Sequence, residues 1–181
     1  MISRTTFTLF LFYLLLGGCA QVTHKGNNPT SNEKLMTSQV VWETPTSLPF
    51  RYQLPRLNQF TAPSPLDSVN AEFIQRKRAE SFLATLEKEV PQRIASFLST
   101  NGVPAGQSST ITIRPVAVEG NSTGPTVSLE VTVEYRDKTQ TPWTATVRSW
   151  ASALMTNRTS TEMIVTDIED KLVRAGFVSR R

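Results

Sequence analysis

Cysteine and histidine are almost missing from this chain: its 181 residues hold one of each, Cys19 and His24. A lone cysteine excludes an intramolecular disulfide and a Cys₄-type zinc site. A lone histidine, lying in a polar N-terminal stretch, excludes a multi-histidine metal site. It also leaves the remainder without Ser-His-Asp or Cys-His machinery. Glycine is scarce, with eight residues, and no glycine-rich phosphate loop is present. The formal charge is only +4, without the concentrated basic stripe that nucleic-acid recognition demands. No apolar run reaches the roughly 20 residues needed to span a bilayer. The sequence therefore calls for no cofactor, no metal and no nucleic acid.

What is present begins at the N-terminus. Arg4 and the α-amino group supply positive charge, residues 7–16 are almost uninterruptedly apolar, and small residues follow. That is the layout of a secretory signal. The ending Leu16-Gly17-Gly18-Cys19 resembles the lipobox of bacterial lipoproteins. The resemblance implies diacylglyceryl transfer to the Cys19 thiol, cleavage between Gly18 and Cys19, and acylation of the new amine. Cys19 would then be no free nucleophile. One buried acyl chain gives marginal membrane binding at about 0.8 kcal/mol per methylene, whereas three make the anchor effectively permanent. In the enteric members of the family, aspartate after the cysteine retains the protein in the inner membrane. Ala20 and Gln21 imply the outer membrane, with the domain facing the periplasm.

The organisation expected beyond the signal peptide of residues 1–18 has three parts. Residues 19–39 are polar and aperiodic, a lipidated N-terminus and flexible tether, of roughly 25 Å r.m.s. reach for some 20 residues. Residues 40–66 form a proline-rich extended arm, in which the alternation Phe50-Arg51-Tyr52-Gln53-Leu54 suggests a short edge strand. Residues 67–181 form the domain. Its first helix starts near Val69, capped by Asp67 or Ser68. Apolar residues recur at Phe82, Leu83, Leu86, Val90, Ile94, Phe97 and Leu98, a stripe at helical spacing. Pro91 marks a kink or the junction of two helices, and Asn101-Gly102 the C-terminal cap.

Three strands follow. The first is residues 110–118, where Pro115 signals an edge strand or a bulge. The second carries Val127, Leu129, Val131, Val133 and Tyr135 on one face and Ser128, Glu130, Thr132 and Glu134 on the other. The third, from Trp143 to Leu154, carries Trp143, Ala145, Val147 and Ala151 opposite Trp150. A last helix begins near Thr159 in a capping box, Thr159-Ser160-Thr161-Glu162. Gly176 ends it and Phe177 folds back onto the core. The order (β)αβββα is an α+β fold: a small antiparallel sheet with two helices on one face. The layout from Asn101-Gly102-Val103 through the strand opening Trp143-Thr144-Ala145 is similar to small accessory lipoproteins of outer-membrane assembly or secretion systems.

Candidate chemistry is thin. Ser31 and Lys34 have S-x-x-K spacing but lie in the tether, and Ser81 and Lys88 are two helical turns apart. Glu130 and Glu134 share a strand face, and Asp167, Glu169 and Asp170 cluster near the last helix, where i,i+4 pairs with Lys171 and Arg174 explain them. Arg76-Lys77-Arg78 is the one basic cluster, suited to anionic headgroups but flanked by Glu72 and Glu80. Trp42 and Trp150 are candidate interface anchors. Together these point to a non-catalytic, lipid-anchored outer-membrane protein that binds another cell-envelope protein as an accessory or scaffold component. The candidate partner-binding residues are Trp42, Trp150, Arg76, Lys77 and Arg78. The alternative is a lipid or small-ligand module whose pocket would be lined by sheet residues such as Leu129 and Val131.

Overall fold

A strand whose side chains alternate strictly between apolar and polar must bury one face and wet the other. The segment Gly124–Tyr135 does this: Val127, Leu129, Val131 and Val133 are at most 1% exposed, while Ser128, Glu130 and Thr132 are half-buried. The computed structural model describes residues 24–25, 34–53, 65–121, 124–137, 140–150 and 157–180. Its strands are β1 (His24–Lys25), β2 (Ser38–Trp42), β3 (Phe50–Tyr52), β4 (Ser109–Asn121), β5 (Gly124–Tyr135) and β6 (Trp143–Trp150). Its helices are α1 (Pro65–Thr100), between β3 and β4, and α2 (Asn157–Arg174), after β6.

The fold is α+β. β4, β5 and β6 form an antiparallel meander. Both helices lie on its apolar face, where Phe82, Leu86, Val90 and Ile94 of α1 and Ile164, Ile168 and Leu172 of α2 are at most 1% exposed. The expectation of a purely antiparallel sheet is corrected, because β2 and β3 both run parallel to β4. Parallel neighbours need a long crossover, and α1 supplies it. The strand order is β1-β6-β5-β4-β2, with β3 also on β4.

Pro115 explains why two short strands share one edge. β2 pairs with Ser109 to Ile113 and β3 with Val118 to Gly120. The bulge between Pro115 and Ala117 falls in the gap, where no strand needs the amide that proline lacks. Pro115 thus sits within the sheet and at a bulge, and β4 is not an edge strand. Gly120 closes the far end: a Cβ there would stand 2.7 Å from Phe50 Cζ and 3.1 Å from Gln75 Cβ.

α1 is one continuous helix with Pro91 inside it. It starts four residues before the expected Val69. Its end is the expected glycine cap: Gly102 has φ 84°, and the Val103 amide donates to the Leu98 carbonyl at 2.9 Å. Gly176 ends α2 in the same way, with φ 85° and a 3.1 Å bond from the Phe177 amide to the Leu172 carbonyl. Phe177 folds back, 1% exposed, edge-on to Trp143 at 5.3 Å and 81°. The capping box is corrected. α2 begins at Asn157, and the Thr161 hydroxyl donates to the Asn157 carbonyl at 2.8 Å, with Ser160 and Thr161 fully buried.

The N-terminal segments are built into the domain. Leu35 is 5% exposed and its amide donates to the Phe177 carbonyl at 3.1 Å. Thr37 and Ser108 interlock through a 2.7 Å hydroxyl pair and a 2.7 Å bond from the Ser108 hydroxyl to the Thr37 carbonyl. The free tether therefore does not extend to Gln39, and residues 38–42 and 50–52 are strands of the sheet, not a detached arm. Residues 1–23, including Gly18 and Cys19, and residues 151–156 lie outside the described residues.

Leu129 is fully buried in β5, opposite Pro115 and Val147. Leu129→Asp places an unpaired charge in the core, a change worth about 3–5 kcal/mol against a total of about 5–15. A urea melt followed by circular dichroism is expected to show a transition at much lower denaturant or none, and an unchanged midpoint would contradict this packing.

Candidate functional site

The buried residues of α1, Gln75, Ala79, Phe82, Leu86, Val90, Ile94 and Leu98, recur mostly every fourth position. Four residues turn an α-helix by about 400°, so such a stripe winds around the helix by roughly 40° per step. The N-terminal half consequently turns a second apolar set away from the sheet. Val69 is 66% exposed, Phe73 60% and Ile74 49%. An exposed aromatic beside exposed aliphatics on one helix is more informative than a scattered leucine.

Phe73 and Ile74 line a shallow groove of about 400 Å³ with Lys77, Arg78 and Ser81 of α1 and Asn157 at the start of α2. Its cations differ. Arg76 bonds Glu72 at 2.9 Å and lies over the Phe50 ring at 4.9 Å, so it braces β3 against α1. Lys77 pairs with Glu80 at 2.7 Å, with both side chains more than half exposed, a contact worth little in water. Arg78 enters no ion pair among the described residues. The groove thus combines apolar surface with an uncommitted guanidinium, which binds carboxylates and phosphates in a planar fork.

The other expected anchors are placed differently. Trp42 stands opposite Ile113 in β2 and packs, half-buried, against the core. Trp150 pairs through its backbone with Thr126 at the end of β6, and its side chain is outside the described set. Leu129 and Val131 lie within the buried core, at most 1% exposed.

The open face of the sheet is polar and internally paired. Arg114 meets Glu130, directly opposite in register, at 2.5 Å. Arg148 pairs with Glu119, and Thr132 faces Thr144 at 3.5 Å. This satisfies Glu130 across strands and gives it no carboxylate partner for acid–base work. On α2, Asp170 pairs with Arg180, not with Arg174 as expected. Among the described residues no three histidine, cysteine or acidic side chains cluster as a metal set, and no helix is long and apolar enough to cross a membrane.

Phe73 and Ile74 were not singled out from the sequence, where the apolar stripe of the first helix was traced only from Phe82 onward. The signal was available: Phe73 is about 160° around the helix from Gln75 at about 100° per residue.

Two titrating groups on α2 are perturbed. Burial raises the Glu169 carboxyl, partly opposed by Arg180. Lys171, 3% exposed, has its ammonium pushed down from 10.5 by burial, with Asp167 opposing and Arg174 adding to the shift. Between the lowered value and 10.5 the unfolded chain binds the extra proton, so stability rises with pH across that window. Lys171→Met is expected to stabilise the domain near pH 7 and to flatten this rise. Urea midpoints between about pH 8 and 10.5 check it, and an undiminished rise in the variant would contradict the assignment.

No family model matches the chain, and no curated protein matches it. Among solved structures it is similar to a PelC dodecamer from Paraburkholderia phytofirmans, at 12% identity and TM-score 0.41, over 90% of this chain and 100% of that one. A second crystal form of the PelC dodecamer gives 12% identity and TM-score 0.38, over 83% and 96%. A Xanthomonas campestris protein labelled DUF330 gives 12% and 0.35, over 85% and 90%. Likeness at this level carries no argument about function.

Proposed function

We propose that this chain is a non-catalytic lipoprotein, anchored to the outer membrane through Cys19, whose domain docks another envelope protein on the N-terminal half of α1. The observation that carries the docking surface is the groove of Phe73, Ile74, Lys77 and Arg78. Aromatic and arginine side chains are the types that dominate protein interfaces. The occupant is an apolar segment flanked by acidic residues: the apolar part covers Phe73 and Ile74, and a carboxylate takes the fork of Arg78. The lipobox supports the anchor, and Ala20 and Gln21 support the outer membrane, with the domain in the periplasm.

Two experiments separate the parts of this reading. Cys19→Ser removes the thiol that lipidation must alkylate. It is expected to abolish labelled-palmitate incorporation and to accumulate uncleaved precursor, and normal processing would refute the lipobox. A photo-crosslinking amino acid at Phe73, in intact cells, is expected to give one discrete protein adduct. That adduct should vanish with Arg78→Glu and be missing when the crosslinker replaces exposed Glu134. Labelling of lipid alone, or an adduct indifferent to Arg78, would overturn the protein-docking reading.

A further inference from the structure

The residues of α1 that line the groove are Phe73, Lys77 and Ser81, spaced four apart, and Ile74 and Arg78, also four apart. On a helix these form two neighbouring i±4 rows. Rows of that spacing are the ridges between which a second helix seats a row of its own. All five residues are exposed, so α1 turns outward a surface patterned for helix packing. α2 does not fill it. It meets the groove only at its first residue, Asn157, and leads toward the C-terminal half of α1, where Glu162 lies 3.9 Å from Arg93. With 36 residues against 18, α1 is about 54 Å long and α2 about 27 Å. α2 therefore runs beside only part of its neighbour.

The walls of the groove also bear on the form of its occupant. An extended segment needs partners for its own amides and carbonyls, which a sheet edge supplies. Both walls here are helices, whose backbone groups are spent on their own turns except in the first turn of α2. A strand laid over Phe73 and Ile74 would press its amides against side chains and leave them unpaired, each at a cost comparable to a lost hydrogen bond. A helix brings its backbone already satisfied. Charge sets the other half of the pattern. Arg78 enters no ion pair among the described residues, Lys77 has its exposed pair with Glu80, and the first turn of α2 holds no acidic residue. The wall is therefore cationic one turn along from the apolar pair Phe73 and Ile74.

We infer that the segment docked on α1 is an amphipathic α-helix lying along Phe73 to Ser81. It sets an apolar residue over Phe73 and Ile74 and, one turn along, an acidic residue facing Arg78. This rests on the docking reading above, and adds to it the partner's conformation and the spacing of its contacts. Phe73 and Ser81 stand about 12 Å apart along the axis of α1, so the partner contributes about two turns or more. An isolated helix that short is marginal in water. The partner helix therefore either belongs to a folded domain or forms on α1, as helix-in-groove ligands do.

The test places a photo-crosslinking amino acid at Phe73 or, separately, at Ser81 of the full chain in intact cells, and maps the attached partner residue by mass spectrometry. Both positions are exposed, so neither replacement disturbs the core. About 12 Å corresponds to roughly eight residues of a helix but to roughly four of an extended segment. The two attachment sites are expected in one partner segment, about six to eight residues apart. A separation of about three or four would overturn the helix while leaving the docking reading standing. Sites in unrelated segments, or an adduct from only one position, would also overturn the helix. No protein adduct from either position would remove the docking reading and the helix with it. A proline placed midway between the two partner sites is expected to lower the adduct yield at least about tenfold. Alanine there should leave the yield within about twofold, and equal yields from the two would overturn the inference. Where proline unfolds the partner itself, the spacing decides.

Discussion

Everything in this fold follows from the need to cover one side of β5. Val127, Leu129, Val131 and Val133 line the same face and are all but inaccessible, and their polar alternates leave the opposite face content in water. A sheet with one apolar face must find a second layer on that side only. The chain supplies two helices, from before and after the meander, and both land on the same side. The seam is closed by the C-terminal turn, where Phe177 meets Trp143 and its carbonyl receives the Leu35 amide. Phe177 thus ties together the N-terminal segment, β6 and the end of α2.

The length of α1 creates the candidate site as a by-product. A buried stripe advancing by fours cannot stay on one side of a 36-residue helix, because the turn repeats every 3.6 residues. α1 is therefore buried against the sheet over part of its length and braced against α2 elsewhere, with Arg93 bridging Glu89 at 3.4 Å and Glu162 at 3.9 Å. Near its N-terminus, the apolar side chains of Val69, Phe73 and Ile74 are left outward. Selection for solubility alone would place polar residues at Phe73 and Ile74, which among the described residues remain 60% and 49% exposed. That is the physical ground for reading them as an interface.

The sequence made β5, the α1 stripe and both glycine caps legible because each rests on a local rule: a period of two, a spacing of three and four, or a residue free to take positive φ. What it concealed is non-local. β2 and β3 are five and three residues long, and their parallel alignment is imposed by the α1 crossover, which leaves no trace in their own composition. Pro115 read equally as an edge or a bulge signal, because the local rule forbids an amide-less residue in a regular mid-sheet ladder, and the bulge is what is found. The gap between two short neighbours that satisfies the rule lies some seventy residues away in sequence. The basic cluster was visible as charge. Its division into a brace (Arg76), a compensated lysine (Lys77) and an uncommitted guanidinium (Arg78) required the positions of Phe50, Glu72 and Glu80.

The N-terminal segment shows how small contacts redefine a tether. A chain that is polar and aperiodic cannot bury enough surface to order itself, and by composition alone it reads as free. Ordering it costs about 1–2 kcal/mol per residue in backbone entropy, so it orders only where the domain offers ready-made partners. Those partners are the interlock of Thr37 with Ser108, the pocket for Leu35, and the exposed ladder of β6 that receives His24 and Lys25. Each partner belongs to the folded domain — the residue before β4, the turn after α2, and β6 — so the segment joins a template and need not make one. With β1 beginning at His24, only four residues lie between Cys19 and the sheet, a span of about 17 Å even when fully extended. A lipid on Cys19 would therefore hold the domain close to the membrane surface, and this nearness would limit which surfaces of α1 a partner can approach.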